Sequence, residues 1–88
     1  MVKGTTESGF DFEIDETKIN NYDFIELMVD ADDGSIPAMV KAIRLILPQE
    51  EINRIKDFVR DENGIAHIPA VYKVVSEIIS YKGETKNS

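Results

Sequence analysis

The stretch from Ser35 to Pro48, SIPAMVKAIRLILP, is the most apolar part of the chain and predicts a central helix. Ser35 can accept a hydrogen bond from the free amides of the first turn, and Pro37 lies where a missing N–H costs little. Pro48 cannot continue far inside the same helix, because its ring would collide with the preceding turn. The residues at both ends therefore predict where this helix starts and stops.

Apolar side chains cover most of the circumference of this predicted helix. A stripe at steps of three and four is expected to face the core, and its members are Ile36, Met39, Val40, Ile43, Ile46 and Leu47. The flank of Ala38, Ala42 and Leu45 is expected to remain for another helix. Together with the two charged side chains it forms the candidate protein-binding surface: Ala38, Lys41, Ala42, Arg44 and Leu45. Leu45→Asp is accordingly expected to weaken partner binding or oligomerisation more than folding.

Charge is distributed unevenly over the 88 residues, whose net charge is -7. Residues 10–33 carry nine acids and one base, or -8, whereas residues 34–88 carry seven acids and eight bases, or +1. Binding to nucleic acid depends on Lys and Arg that displace counterions from phosphates, so this balance argues against a nucleic-acid partner. The acidic part is interpreted either as a solvated face or as a surface for a basic protein.

The compartment is inferred from what the chain lacks. There is no Cys, which suits a reducing interior. No apolar run approaches the roughly 20 residues of a membrane span, and the N-terminus has no apolar signal-peptide core. We therefore expect a soluble cytoplasmic protein with no membrane partner.

The N-terminal part predicts one short strand. Residues 1–9 have few apolar side chains and are expected to be disordered. Phe10 to Asp15, FDFEID, alternates apolar and acidic residues, which places Phe10, Phe12 and Ile14 on one face of an extended segment. A strand needs a partner for its backbone groups, and Ile65–Ile68 is the candidate within the chain.

Three further helices are predicted by apolar spacing. They are expected over Tyr22 to Ala31, from Pro48 to the turn at 61–64, and from Pro69 towards a stop at Gly83. Their inward residues are expected to include Phe24, Ile25, Ile55, Phe58 and Val75. The predicted fold is thus mainly α, a small bundle of about four helices with a short N-terminal extended segment. Residues 10–82 form its single domain, and residues 83–88 form a polar C-terminal tail.

No motif in the chain predicts catalysis, a cofactor or a metal. An EF-hand loop that started at Asp30 would need Gly where Ser35 stands and the closing Glu where Lys41 stands. The acids at 30–33 are explained equally well by a turn and a helix entrance. His67 is the only imidazole and is interpreted as solvated or as a loop anchor. No catalytic, cofactor-binding or metal-binding residue is assigned.

Over residues 10–80 the order of these parts resembles a known family. The series runs from FDFEID through NYDFIELM and DDGSIPAMVKAIRLIL to PQEEINRIKDFVRDENG. It resembles the small tail assembly chaperones of long-tailed phages and prophages of Gram-positive bacteria. The most telling parts are the acidic helix, the Asp-Gly-Ser-x-Pro entrance to an apolar helix, and the later Arg-Asp-Glu-Asn-Gly turn. The chain departs from the family in its β-branched last helix and its C-terminal end, KGETKNS.

The resemblance implies a non-catalytic helical protein of the host bacterial cytoplasm. Such a protein holds the tape measure protein, promotes polymerisation of the tail tube protein around it and is not retained in the virion. A homo-oligomer and a longer frameshifted product are compatible with this function. The alternative, from the acidic residues 10–33, is an acidic interaction protein such as a DNA mimic or an inhibitor of a basic protein.

Overall fold

The computed structural model describes residues 1–81 and is mainly helical. Its elements are β1 (Val2–Thr5), β2 (Asp11–Ile14), α1 (Glu16–Ile19), α2 (Tyr22–Asp32), α3 (Ile36–Ile46), α4 (Gln49–Val59) and α5 (Ile68–Ile79). The predicted fold class, a small helical bundle with a short N-terminal β segment, is confirmed. The predicted stop at Gly83 and the tail over 83–88 lie outside the described residues.

Strand β2 pairs with a segment that was expected to be disordered. β1 and β2 form an antiparallel hairpin in which Val2 lies opposite Ile14 and Thr5 opposite Asp11. Val2–Thr5 forms a strand although residues 1–9 were expected to be disordered, and the candidate partner Ile65–Ile68 does not pair with β2. A short loop between neighbouring segments costs less closure entropy than pairing across some fifty residues. The turn is closed by the Thr6 amide, which donates to the Phe10 carbonyl oxygen at 2.9 Å, and by the Phe10 amide, which donates to the Thr6 hydroxyl oxygen at 3.0 Å.

The inner face of β2 anchors the hairpin to the helices. Phe10, Phe12 and Ile14 are all buried, as their alternation predicted. The Arg54 guanidinium from α4 lies 4.8 Å from the centre of the Phe10 ring, and its Nη2 donates to the carbonyl oxygen of Asp11 at 3.0 Å. The Tyr81 ring packs edge-on against Phe12 with the centroids 5.1 Å apart. Stacking, cation–π and hydrogen-bond contacts therefore join the hairpin to the helical layer.

The predicted helix starts are confirmed by side-chain caps. Ser35 accepts from the amide of Ala38 at 3.2 Å, and Asn21 accepts from the amide of Asp23 at 2.9 Å. Each cap satisfies one of the donors that a helix N-terminus leaves free. The additional short helix α1 begins after Asp15, which accepts from the amide of Thr17.

One continuous core connects the hairpin and the helices. Its buried members come from β2, its preceding loop, helices α2 to α5 and the connection between α3 and α4: Phe10, Phe12, Ile14, Phe24, Met39, Ala42, Ile43, Ile46, Leu47, Ile55, Val74, Val75 and Ile78. Helix α3 contributes more of them than any other element. The prediction that the SIPAMVKAIRLILP segment is the central helix of a bundle is confirmed.

The orientation of α3 about its axis differs from the prediction. Ile36 and Val40, expected in the core, are 47% and 36% exposed, whereas Ala38 and Ala42, expected at the surface, are buried. Helix α3 packs most extensively against α2. Because α3 is apolar on nearly every side, its own residues do not select one inward face, and the packing partners decide.

Two more residues expected to face inward do not lie in the core. Ile25 on α2 is 47% exposed, and Phe58 on α4 is 44% exposed. The Phe58 ring still contacts the Phe10 ring, with centroids 5.2 Å apart. Apolar surface is therefore left exposed on α2, α3 and α4, and also at Ile68 on α5.

Candidate functional site

The residues nominated for protein binding separate into two groups in the structure. Ala42 is fully buried and Ala38 nearly so, which removes both from any surface that a partner can reach. Lys41, Arg44 and Leu45 are exposed. Of these three, only Arg44 lines a concave surface.

That concave surface lies where α3, α4 and the start of α5 meet, and we call it the α3–α5 groove. Its lining residues are Met39, Val40, Ile43, Arg44, Gln49, Ile52, Lys56, Ala66, Ile68 and Val71. Its volume is about 220 Å³. Seven of the ten lining residues are aliphatic or Met, so an apolar partner side chain that enters is removed from water.

Burial within the groove is graded from base to edge. Met39 and Ile43 belong to the core and form the base. Val40 on α3 and Ile68 at the start of α5 are 36% and 49% exposed and form the edges. Ile36, which lies one turn before Val40, extends the exposed apolar edge along α3. The groove is thus a continuation of the core that is open to solvent.

The charged residues that line the groove are both cationic. Arg44 comes from α3 and Lys56 from α4, and no carboxylate is among the lining residues. Within residues 1–81 neither side chain has a carboxylate within 4.0 Å, whereas Arg54 and Arg60 pair with Glu51 and Asp57. A chain with 17 acids and 10 bases therefore has a groove lined by positive charge only.

The connection between α4 and α5 fixes one wall of the groove. The Asp61 carboxylate accepts from the amides of Asn63 and Ile65, at 2.8 Å and 3.0 Å, and lies 2.8 Å from Nε2 of His67. Gly64 has a φ of 81°, which a residue with a side chain rarely adopts. This turn sets the position of Ala66 and Ile68.

Hydrogen bonding also changes the acidity of Asp61. The contact with His67, followed by the amides of Ile65 and Asn63, holds the pKa of the Asp61 carboxyl below its usual value. Donors directed at a carboxylate favour its charged form. His67 therefore serves as a loop anchor, in agreement with one of its two sequence interpretations.

A second exposed apolar surface lies on α2, and we call it the acidic α2 face. Tyr22, Ile25 and Val29 project from it beside the acids Asp23, Glu26 and Asp30. A single helix forms this surface, so no neighbouring element encloses it. Helix α2 and the two residues on either side of it contain no Lys or Arg.

Asp32, at the end of α2, has a structural partner. The Tyr72 hydroxyl from α5 donates to Asp32 Oδ1 at 2.7 Å. This hydrogen bond, with partial burial, raises the pKa of the Tyr72 hydroxyl. The 30–33 acidic cluster therefore contributes a contact between α2 and α5, and among residues 1–81 no group of three or more His or acidic residues is placed to hold a metal ion.

Comparison with known proteins assigns the chain to no family. No family model matches it, and neither the curated proteins nor the solved structures contain a match. In the described part of the chain, no helix has both the length and the apolar character needed to cross a bilayer.

Sequence reasoning identified Arg44 and missed the groove to which it belongs. Lys56 was not among the nominated residues, and Val40 was assigned to the core. The sequence feature that points to the groove is the number of apolar positions on α3, which is larger than one inward face can bury.

Proposed function

We propose that the chain is a non-catalytic tail assembly chaperone of a phage or prophage, which binds the tape measure protein and assists assembly of the tail tube. The α3–α5 groove is the observation that carries this proposal. A long helical partner has apolar stripes that need cover before assembly, and an exposed apolar groove can receive one. The order of sequence parts over residues 10–80 is a second, independent support.

The acidic surface supports the same function in a different way. A chaperone that covers an apolar partner must keep the complex soluble, and net charge far from zero does so. The nine acids of residues 10–33 provide that charge on the N-terminal half, away from the lining of the groove. The proposed place of action is the host bacterial cytoplasm, without retention in the virion.

Co-expression with the tape measure protein encoded near this chain tests the proposal. We expect the tape measure protein to become more soluble and to co-purify with the tagged chain. The matched control is Ala42→Asp, which places a charge at a fully buried position and is expected to abolish the fold. No increase in solubility and no co-purification with the wild-type chain would end this proposal.

The -8 charge of residues 10–33 favours a second candidate, an acidic protein that occupies the DNA-binding groove of a basic protein. Duplex DNA competes for that groove, so displacement of the chain by DNA is the expected signature. If the chain binds the tape measure protein equally well with and without duplex DNA, then DNA mimicry does not explain that binding.

A further inference from the structure

We propose that the α3–α5 groove recognises an amphipathic helix whose apolar stripe is flanked by acidic residues. This inference rests on the proposed function and deepens it, because it names the chemistry of the segment that the chaperone would hold. It also places the binding surface on the side of α3 that carries Ile36 and Val40 and borders the groove. Leu45 lies outside this surface.

The apolar part of the groove is large enough for individual side chains but not for a whole helix. A volume of about 220 Å³ receives the projecting side chains of a helix that lies across the opening. Met39 and Ile43 at the base are already buried, so the newly covered area comes from Val40, Ile68 and the incoming side chains. Met39 is unbranched and adapts its shape to different occupants. Such a base accepts several apolar residues.

The charges that line the groove select for the residues beside that stripe. Arg44 and Lys56 come from different helices, and both line the groove. In the described part of the chain neither has an ion-pair partner, so both are free to meet carboxylates of a bound helix. A helix flanked by Lys or Arg would instead bring like charges together, which is unfavourable and gives specificity.

The acidic α2 face has the same chemistry as the proposed ligand, so a second copy of the chain is the competing occupant. Ile25 and Val29 would supply the apolar stripe, and Glu26 and Asp30 the flanking acids. That arrangement would join the groove of one copy to α2 of the next. Such self-association predicts that the average molecular mass in solution rises with protein concentration and falls when the exposed residues of α2 are substituted.

Two synthetic helices of about 20 residues provide the probe, a length at which isolated helices form. Both have Leu at the a and d positions of each heptad; one has Glu and the other Lys at the flanking e and g positions. Glu and Lys have similar helix propensities, so the pair differs mainly in charge. Titrations near 0.15 M salt screen charges beyond about 8 Å, so contacts within the groove dominate the difference.

We expect the Glu helix to bind about tenfold more tightly than the Lys helix. This order is opposite to that expected from net charge alone, because the chain is strongly acidic. The double variant Arg44→Glu, Lys56→Glu should lose this preference. A matched control, Lys73→Glu with Lys18→Glu, makes the same change in net charge at exposed positions outside the groove lining and should retain it.

Three results would overturn the inference: no binding of the Glu helix, equal or tighter binding of the Lys helix, or equal losses in the two double variants. If the chain forms an oligomer that grows with concentration, and Ile25→Asp dissociates it, the groove binds a second copy of the chain instead.

Failure of the proposed function can be distinguished from failure of this inference. If the wild-type chain binds the Glu helix but not the tape measure protein, the function fails and the groove chemistry stands. If Arg44→Glu, Lys56→Glu leaves tape measure binding intact, the groove assignment fails and the function stands.

Discussion

The two exposed apolar surfaces of this molecule differ in how they are built. The α3–α5 groove is concave, three elements contribute to it, and its base continues into the core. The acidic α2 face is the outer side of one helix, with its apolar residues set among acids that water solvates well. An incoming helix loses more water from apolar surface in a groove that several elements enclose than on the side of a single helix, so the groove is the better binding site.

The two surfaces also differ in charge, although they belong to one small chain. Arg44 and Lys56 line the groove, whereas Asp23, Glu26 and Asp30 surround the α2 face. Opposite charge on two apolar surfaces separates their roles. We propose that one surface holds an acidic helix and that the other keeps the resulting complex soluble.

The largest expected effect separates the buried side of α3 from its exposed sides. Ala42→Asp places a carboxylate where no solvent reaches and should cost about 3 kcal/mol or more of unfolding free energy. Leu45→Asp changes a residue that is 38% exposed and should cost about 1 kcal/mol or less. Thermal unfolding followed by circular dichroism measures both.

Similar losses in the two α3 variants would contradict the observed orientation of this helix. Leu45→Asp should also leave binding of the Glu helix unchanged, because Leu45 does not line the groove. A large loss of binding with an intact fold would instead restore the flank first chosen from sequence.

A smaller effect compares the apolar residues of the two surfaces. Val40→Ser with Ile68→Ser removes the edges of the groove and should weaken binding of the Glu helix about tenfold, or about 1.4 kcal/mol. Ile25→Ser with Val29→Ser makes the same kind of change on the acidic α2 face and should leave binding within about twofold. Isothermal titration calorimetry of the two double variants measures the difference.

The reverse order of these two effects would make the α2 face the binding surface. Both double variants change residues that are at least 36% exposed, so the fold is expected to tolerate them. Their unfolding curves provide the control.

The smallest effect concerns the turn that positions one wall of the groove. The pKa of the Asp61 carboxyl is lower in the folded chain than in the unfolded chain, where it is about 3.9. The charged carboxylate therefore stabilises the fold fully above about pH 3.9, and this stabilisation is lost as the pH falls through the folded-state pKa. Asp61→Asn keeps an acceptor oxygen but removes the charge. The melting temperature of the wild type should exceed that of Asp61→Asn near pH 6, and the gap should shrink as the pH falls below about 4.

A gap of constant size from about pH 6 to about pH 3 would show that the charge of Asp61 does not stabilise the turn. The variant His67→Gln tests the same contact from its other side. It should narrow the gap near pH 6, because His67 makes the largest contribution to the lowered pKa of Asp61.

Local signals in the sequence predicted the elements of the fold well. Ser35 is the cap that its type and position indicated, and the alternating residues of β2 face inward. Each of these features depends on residues within a few positions of one another. For this reason neither required knowledge of the tertiary contacts.

Features that depend on contacts between separate elements were not predicted. Val2–Thr5 has little apolar character of its own and becomes a strand because β2 offers a nearby edge. Helix α3 has more apolar positions than one face can bury, so the choice of Ala42 over Val40 for the core was open until its neighbours were placed. Lys56 joins Arg44 at the groove only through the packing of α4 beside α3.

Nuclear magnetic resonance mapping tests the central claim most directly. Amide shifts of the ¹⁵N-labelled chain are followed during titration with a soluble fragment of the tape measure protein, the partner named in the proposed function. We predict that the largest changes cluster at Val40, Arg44, Lys56 and Ile68 around the groove. Changes centred on Tyr22, Ile25 and Val29, with the groove unaffected, would contradict the assignment of the groove as the site that holds the partner.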